Sequence, residues 1–417
     1  MTGGRKVNKR VVITGLGVIS SIGSKVDEFW TNLKNGQSGI SLIDSFDVSD
    51  LKTKIAGVVK DFDADSLWGR KEARKMDRFC QFALAAAEQA LQDSQLKLEE
   101  INKERLGVYV GSGIGGIQTF IDNVNTLNER GARRVSPSLV PMMISNAAAA
   151  QISIAFGARG PSMSPVTACS IGNTSIGEAY KMIRDDEVEI MFAGGTEAAI
   201  TKLSLASFGN ATALSTNENP LTASRPFDEN RDGFVMSEGA GIIVLESLEH
   251  ATKRGSTIYG EIIGYGASSD AYHMVATHPD GDGAFQAMKK ALQDANIDPN
   301  DIDIISAHAT STVVGDRSET LAIKKLFQDQ AYHIPVTANK SMLGHMLGAA
   351  GGVEAIALIK SIQENFIPPT INLSKADDIC DLDYVPNHGR TKKLTIGLSN
   401  SFGFGGHNSA LLFKKYE

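Results

Sequence analysis

The strongest constraint on the fold is the alternation of short apolar segments with amphipathic ones along the whole chain. The segments with the character of buried strands are Val11 to Thr14, Leu106 to Val110, Glu189 to Ala193, Ile242 to Leu245, Ile302 to Ser306 and Lys393 to Gly397. Between them, Phe79 to Asp93 and Ala284 to Ala295 carry apolar residues at helical spacing. This alternation is typical of α/β layers and predicts a mostly parallel sheet covered by helices.

Two parts of the chain resemble each other loosely. In the first, the strand-like LGVYVGSGI is followed by the small-residue helix start CSIGNTSIGEAYKMI. In the second, DIDIISAHATS is followed by HMLGAAGGVEAIALIKSI. The pattern indicates a duplicated unit, with halves at residues 1–255 and 256–417 that meet near Ala251 to Ile258. Convergent composition is the alternative explanation.

Composition and charge exclude several classes of protein. The chain has 417 residues, of which 42% are hydrophobic and 21% charged, as in soluble globular proteins. Its three cysteines do not form the framework of a disulfide-rich secreted protein. A net charge of −7 argues against nucleic-acid binding. The sequence shows neither a signal peptide nor an apolar run long enough for a membrane span, so we expect a cytoplasmic protein.

The candidate nucleophile is Cys169, within SPVTACSIGNTSIGEAYKMIR. Apolar residues fall at helical spacing from Ile176 onward, which predicts that Cys169 lies at a helix N-terminus. The unpaired N–H groups and the dipole at such a site favour a lowered thiol pKa and a reactive thiolate. The alternative, a small buried cysteine, is our interpretation of Cys80 and Cys380. Polar neighbours favour the nucleophile at Cys169, namely Thr167, Ser170, Asn173 and Thr174.

Two histidines accompany this cysteine in small-residue loops. His308, in ISAHATSTVVGD, follows an apolar strand, and His345, in ANKSMLGHMLGAAGG, precedes a helix start. Functional side chains often occupy such strand and loop ends. The alternatives are ordinary hydrogen-bonded histidines and a zinc site with Cys169. The zinc site is disfavoured because no close-spaced ligand pair is present, so no metal is predicted.

The loop GSGIGG after the second strand matches the dinucleotide pattern G-x-G-x-x-G. That fold would show a second strand ending in an acidic residue ~20 positions further on. Here the chain instead continues through the helix-like Phe120 to Asn128 into GARRVSP. Nucleotide binding is therefore disfavoured, and a tight turn is the plainer interpretation.

Several blocks, taken in order, resemble the signature motifs of one enzyme family. TACS, RPFDENRDGFVMSEGAG, AHATST, KSMLGH and NSFGFGGHN are similar to those of β-ketoacyl-acyl-carrier-protein synthases, closest to the type II elongating enzymes of bacterial fatty-acid synthesis. The resemblance covers essentially the whole chain. It implies a thiolase-like layered fold of two similar halves, a homodimer, and decarboxylative condensation of an acyl chain with malonyl-acyl-carrier protein. It implies no cofactor beyond the phosphopantetheine of the carrier protein.

The resemblance also implies roles for individual residues. Cys169 corresponds to the acylated nucleophile, and His308 and His345 correspond to the pair that binds the malonyl thioester and promotes decarboxylation. The remaining implied roles are support of the histidines by Lys340 and Glu354, phosphopantetheine binding by Thr310 and Thr312, a mobile gate at Phe404 whose N–H completes an oxyanion hole with that of Cys169, and an acyl-pocket wall at Ile114.

Two basic clusters stand out in this acidic chain. They are Arg70, Lys71, Arg74, Lys75 and Arg78 in the first, and Arg130, Arg133 and Arg134 in the second. Charge runs are commonly solvated surfaces. A strongly acidic carrier protein would, however, be steered by positive patches. We therefore expect docking of acyl-carrier protein at Arg70, Lys71, Arg74, Lys75, Arg133 and Arg134.

Four positions depart from the family pattern. Ala309 replaces a near-constant Gly and would narrow the arm channel or shift His308, while Ile171 replaces a smaller residue and would tighten the acyl pocket. Ser237 replaces a common Gly, and Thr212 stands where many members carry an Arg that binds the carrier.

These departures leave open a specialised ketosynthase of polyketide or lipid biosynthesis. Two rival functions are more distant. A thiolase-type enzyme would show a second cysteine in the C-terminal block, and a non-catalytic subunit would lack Cys169.

Overall fold

The structure is a computed structural model, and it describes residues 8–417. The strands of the first part of the chain are β1 Val11–Ile19, β2 Ser41–Leu42, β3 Ile55–Ala56, β4 Leu106–Gly111, β5 Ser162–Met163, β6 Ile190–Glu197 and β7 Gly239–Ser247. Its helices are α1 Val26–Lys34, α2 Ala64–Trp68, α3 Arg70–Ala73, α4 Arg78–Ser94, α5 Ile117–Arg130, α6 Leu139–Met143, α7 Ala147–Phe156, α8 Ile171–Arg184, α9 Lys202–Asn210 and α10 Leu248–Lys253.

The second part of the chain continues the same alternation. Its strands are β8 Gly260–Ser269, β9 Ile304–Ser306, β10 Val336–Thr337, β11 Phe366–Ile367, β12 Arg390–Thr391, β13 Ile396–Gly403 and β14 His407–Lys414. Its helices are α11 Asp282–Ala295, α12 Val313–Phe327, α13 Lys340–Leu343 and α14 Ala350–Glu364. Each of the six predicted strands overlaps an observed strand, with ends that differ by up to six residues, and both predicted helices are present with ends that differ by at most two.

Ten strands form one mixed sheet, in the order β10-β9-β13-β14-β8-β1-β7-β6-β4-β5. The outer pairs on both sides are parallel, whereas the pairs from β13 through β14, β8, β1 and β7 to β6 are antiparallel. The prediction of a mostly parallel sheet is therefore wrong at the centre. One reason is local: only the short turn Phe404–Gly406 joins β13 to β14, and such a short connection can join only antiparallel strands.

The two halves repeat one topology. The order β5-β4-β6-β7-β1 carries two parallel and then two antiparallel pairings, and β10-β9-β13-β14-β8 carries the same series. Antiparallel pairing of Val11 to Ile13 with Gly260 to Ile262 joins the two halves. The fold is thus a layered α/β structure of two similar halves, as expected.

The helices α8 and α14 lie between the two halves and cross at glycines. A Cβ on Gly172 would lie 2.5 Å from the nitrogen of Gly352 and 2.9 Å from the Cα of Gly351. No side chain fits there, which explains why both predicted helix starts are rich in small residues. The crossing brings the start of α8, which follows Cys169, next to the start of α14, which follows His345.

None of the helices in residues 8–417 combines the length and the apolar character needed to cross a lipid bilayer.

Candidate active site

Cys169 lies where a loop becomes a helix. It is the middle residue of the 3₁₀ turn Ala168–Ser170, which runs directly into α8. The preceding Ala168 has a φ of 50°, in the left-handed region that L-residues rarely adopt. This tight entry presents the Cys169 side chain ahead of the helix, as the sequence predicted.

Cys169, His308 and His345 line one cavity of about 360 Å³. Its other walls come from both halves of the chain, and they include Phe208, Thr212, Phe234, Thr310, Thr312, Leu347, Phe402 and Phe404. The three predicted side chains, which are widely separated in the sequence, therefore meet in one space. Within residues 8–417, no group of three or more His, Cys, Asp or Glu side chains is arranged to hold a metal ion.

The backbone around Val235 to Ser237 holds His345 in place. The His345 N–H donates to the Val235 carbonyl at 2.7 Å, and the Ser237 N–H donates to the His345 carbonyl at 2.9 Å. The ring of Phe234 meets the imidazole edge to face, with centroids 5.2 Å apart. The block FVMSEGAG thus forms one wall of the histidine site.

Glu319 holds the backbone of His308. Its carboxylate accepts the N–H of His308 at 2.9 Å and that of Ala309 at 2.8 Å. Asn400 donates its side-chain amide to the same carboxylate at 3.0 Å. Asp316, one helical turn earlier on α12, accepts the Ser311 N–H at 3.1 Å. Two buried carboxylates of one helix face therefore shape the loop that carries His308.

Both imidazoles are buried and neutral. Burial lowers the pKa of each ring well below the ordinary value of 6.5, and the nearby charge of Lys340 lowers it further. Lys340 is itself buried and pairs with Glu354, with Nζ and Oε1 2.5 Å apart. Burial raises the pKa of Glu354 to about 7, although the charge of Lys340 opposes this effect. The predicted supporting pair therefore lies beside both histidines.

The Cys169 thiol differs from the expectation. Burial raises its pKa to about 12, although the charge of Lys340 and the backbone N–H groups of Phe404 and Cys169 act in the opposite direction. The prediction of a lowered pKa is thus wrong, because loss of solvation outweighs the helix start. The same two N–H groups, however, lie close enough to the sulfur to stabilise negative charge there.

The other predicted contact residues lie around this cavity, with one exception. Thr310 and Thr312 line it with their hydroxyl oxygens 3.0 Å apart, and Phe404 forms part of its wall. Ile114 does not line the cavity. It packs instead, as Cys169 does, against an apolar cluster whose members Phe234 and Leu347 also line the cavity.

The four departures from the family pattern have different surroundings. Ala309 lines the cavity, and its φ of 32° is a positive value that Gly adopts more readily than a residue with a Cβ. Thr212 is exposed at the cavity wall. Ser237 is buried and donates its hydroxyl to the Gly57 carbonyl at 2.8 Å. Ile171 is fully buried near Gly111 and Gly348 and does not line this cavity.

Most residues of the two basic clusters are exposed to solvent. Those predicted to dock a carrier protein are all exposed, namely Arg70, Lys71, Arg74, Lys75, Arg133 and Arg134. Lys75 pairs with Glu72 at 2.7 Å. Arg78 differs from its neighbours, because it is tied to Glu238 at 2.9 Å and stacks over Phe82.

Sequence reasoning missed the buried carboxylates of Asp316 and Glu319. Acidic residues are usually exposed, so residue type alone does not mark these two as buried. Their spacing of three on a helix, directly after AHATST, places them on one face and was the available signal.

Comparisons with known proteins agree along the chain. Residues 8–251 match the model of the β-ketoacyl synthase N-terminal domain, and residues 259–374 match that of the β-ketoacyl synthase C-terminal domain. A 3-oxoacyl-[acyl-carrier-protein] synthase 2 from Synechocystis is 50% identical over 98% of this chain and 99% of its own length. The protein of the same name from Staphylococcus aureus is 49% identical over the same shares.

Solved structures give the same result. A β-ketoacyl synthase from Burkholderia phymatum superposes with a TM-score of 0.91 at 36% identity, covering 98% of this chain and all of that one. A type II polyketide ketosynthase, solved with its acyl-carrier protein and a hexaketide, gives 0.92 at 35% with the same coverage. The matched cysteine and histidine blocks, the layered halves and identity near one half over the full length lead to one conclusion: this chain belongs to the β-ketoacyl synthase family.

Proposed function

We propose that the chain catalyses decarboxylative condensation of an acyl chain, held on Cys169, with malonyl-acyl-carrier protein during fatty-acid elongation. The single observation that carries this proposal is the meeting of Cys169, His308 and His345 in one cavity. Elongation in fatty-acid synthesis is favoured over a polyketide pathway, because identity reaches 50% with a 3-oxoacyl-[acyl-carrier-protein] synthase 2 but 35% with the polyketide ketosynthase.

The first step transfers the acyl chain to the sulfur. Because the free thiol is protonated, its proton leaves as the sulfur attacks the thioester carbonyl and passes to the departing phosphopantetheine sulfur. Thr310 and Thr312 would hydrogen-bond the arm of that phosphopantetheine. The N–H groups of Cys169 and Phe404 would bind the oxyanion of the tetrahedral intermediate.

The second step forms the new carbon–carbon bond. Loss of CO₂ from the malonyl group leaves an enolate, whose oxygen accepts hydrogen bonds from ring N–H groups of His308 and His345. Neutral rings serve this purpose, because each keeps one N–H donor. The enolate carbon attacks the acyl carbonyl, and the Cys169 sulfur leaves as a thiolate and takes up a proton.

The proposal also includes a homodimer. Apolar side chains are exposed on α5 at Phe120, Val124 and Leu127, which are spaced so that they lie on one face of the helix. β5 lies at the edge of the sheet, and its Met163 side chain is exposed. A second copy that covers this edge and apolar surface would remove both from water. Sedimentation should then give twice the chain mass, and a monomer at micromolar concentration would overturn this part.

Three further predictions from the sequence belong to the same proposal. Acyl-carrier protein docks at the exposed basic residues, the location is cytoplasmic, and the halves divide at residues 255 and 256. The last is supported by the position of the boundary between α10 and β8.

Replacing the nucleophile tests the proposed function. Cys169→Ala should abolish condensation and the acyl adduct seen by intact mass, yet release CO₂ from malonyl-acyl-carrier protein. Cys380→Ala, which alters a buried cysteine that does not line the cavity, should behave like the unmodified enzyme. Full condensation by Cys169→Ala would refute the assignment.

A further inference from the structure

The glycine-rich loop after β4 binds an anion that belongs to the chain itself. Glu197, the last residue of β6, accepts the Ser112 hydroxyl at 2.7 Å and the Gly113 N–H at 2.9 Å. It also accepts the Ile114 N–H at 3.2 Å and, from the other half of the chain, the Gly348 N–H at 3.1 Å. The pattern that resembled a nucleotide site in the sequence thus surrounds a carboxylate.

This carboxylate is fully buried, and no ion pair to it is present in residues 8–417. Each oxygen accepts two hydrogen bonds, and every neighbouring group donates. The Ser112 hydroxyl donates to the carboxylate, and its oxygen also accepts the Gly115 N–H at 2.8 Å, so it links Glu197 to the turn that follows. Burial raises the pKa of Glu197, and the four donated hydrogen bonds oppose this effect by stabilising the ionised form in place of a cation.

Glycine is needed for this approach. A Cβ on Gly113 would lie 3.0 Å from the Glu197 Oε2 atom, and one on Gly348 would lie 2.9 Å from it. Any side chain at either position would press against the carboxylate. The two glycines therefore allow backbone from both halves of the chain to reach one oxygen.

The segments that Glu197 joins are parts of the proposed site. Ile114 and Cys169 pack against the same apolar cluster. Gly348 belongs to the 3₁₀ turn Leu347–Ala349, which connects His345 to α14, and Leu347 lines the cavity. The charge of Glu197 also acts on the Cys169 thiol, whose pKa it raises.

We propose that Glu197 is a positioning residue for condensation: its carboxylate fixes the Ser112–Ile114 loop against the Gly348 turn and so sets the nucleophile, and the apolar cluster against which it packs, relative to His345. This inference rests on the proposed function. It predicts that removal of the charge will make the thiol more reactive and acyl transfer slower, whereas a shorter side chain that keeps the charge will slow acyl transfer alone; loss of stability would speed alkylation in both variants.

The test compares Glu197→Gln with the unmodified enzyme in two assays. In Glu197→Gln, an amide N–H₂ replaces one carboxylate oxygen and faces N–H or O–H groups whose hydrogen bonds that oxygen accepted. Alkylation of Cys169 by iodoacetamide at fixed pH should become about three- to tenfold faster, because less opposing charge lies near the thiolate. Acyl transfer from acyl-carrier protein, followed by intact mass, should slow by about tenfold or more, as expected when buried N–H donors lose their acceptor.

Two further variants separate positioning from loss of stability. Glu197→Asp keeps the charge but is too short to reach both segments, so it should alkylate like the unmodified enzyme and still transfer acyl groups slowly. Glu246→Gln alters another fully buried carboxylate, held by Arg254 and Thr14, and should change neither rate.

Two results would overturn the inference. One is unchanged acyl transfer in both Glu197 variants, and the other is alkylation and acyl transfer that fall together in Glu197→Gln. If the unmodified enzyme forms no acyl adduct on Cys169, the proposed function itself fails, which is a separate outcome.

Discussion

The imidazole rings of His308 and His345 meet edge to face, with centroids 5.3 Å apart and ring planes at 87°. Two protonated rings at this distance would repel each other, and both lie near the Lys340 charge. The arrangement is therefore suited to neutral rings that donate hydrogen bonds rather than to a cationic pair.

This pair predicts how decarboxylation depends on pH. Because the pKa of both rings is lowered, they stay unprotonated as the pH falls through 6.5, the ordinary histidine value. Release of CO₂ from malonyl-acyl-carrier protein by Cys169→Ala should thus be constant from about pH 8 to 6.5 and fall only at lower pH. A loss of rate with a midpoint near 6.5 would contradict the prediction. His308→Ala and His345→Ala should each lower the rate by about 10²–10³.

The thiol of Cys169 should react with alkylating reagents in proportion to pH. With a pKa of about 12, the thiolate fraction of the free enzyme rises tenfold for each pH unit throughout the neutral and mildly alkaline range. The iodoacetamide rate, measured by intact mass, should show no plateau below about pH 10. A plateau near neutral pH would mean that the helix start controls the thiol. Cys169→Ser identifies the modified sulfur.

The buried pair of Lys340 and Glu354 should be sensitive to loss of one partner. Lys340→Met leaves a carboxylate buried without its cation, which should lower the free energy of unfolding by about 3–5 kcal/mol in urea titrations. Lys34→Met, which breaks the partly exposed pair with Glu364, should cost about 0–1 kcal/mol. Equal losses in the two variants would show that burial of the first pair has no energetic effect.

Charge reversal tests docking of the carrier protein. Arg74→Glu combined with Lys75→Glu should raise KM for carrier-bound substrate about three- to tenfold at low salt, with kcat little changed, and high salt should reduce the difference. Lys97→Glu is a matched control, since Lys97 is also exposed and paired three residues away, with Glu100. Unchanged KM in the double variant at low salt would exclude this surface.

Sequence reasoning predicted the positions of Cys169, His308 and His345, because each follows a strand or begins a helix in a small-residue loop. It did not find β8, whose apolar residues are interrupted by glycine and serine, or β14, whose apolar run Ala410 to Phe413 is only four residues long. Both strands pair near the centre of the sheet, where neighbouring strands from distant parts of the chain decide the structure. Without these two strands, the sequence predicts parallel pairing at the centre of the sheet, where the pairing is antiparallel.

Buried charge was the other gap between sequence and structure. The roles of Glu197 and Glu319 depend on backbone N–H groups that only the folded loops bring together. The prediction of a lowered thiol pKa was wrong for a related reason. The sequence indicates the helix start at Cys169, but it does not indicate the desolvation that dominates the pKa of the thiol.

The contact of Gly172 with Gly351 and Gly352 contains no reacting group, yet the geometry of the active site depends on it. The sulfur precedes one of these helices and an imidazole precedes the other, so their separation is set by how closely two backbones touch. Even one methyl group at that contact would move the sulfur and the ring apart while leaving every reacting group intact. Inactive variants of this protein should thus include changes at the helix–helix contact that an inspection of the cavity alone would overlook.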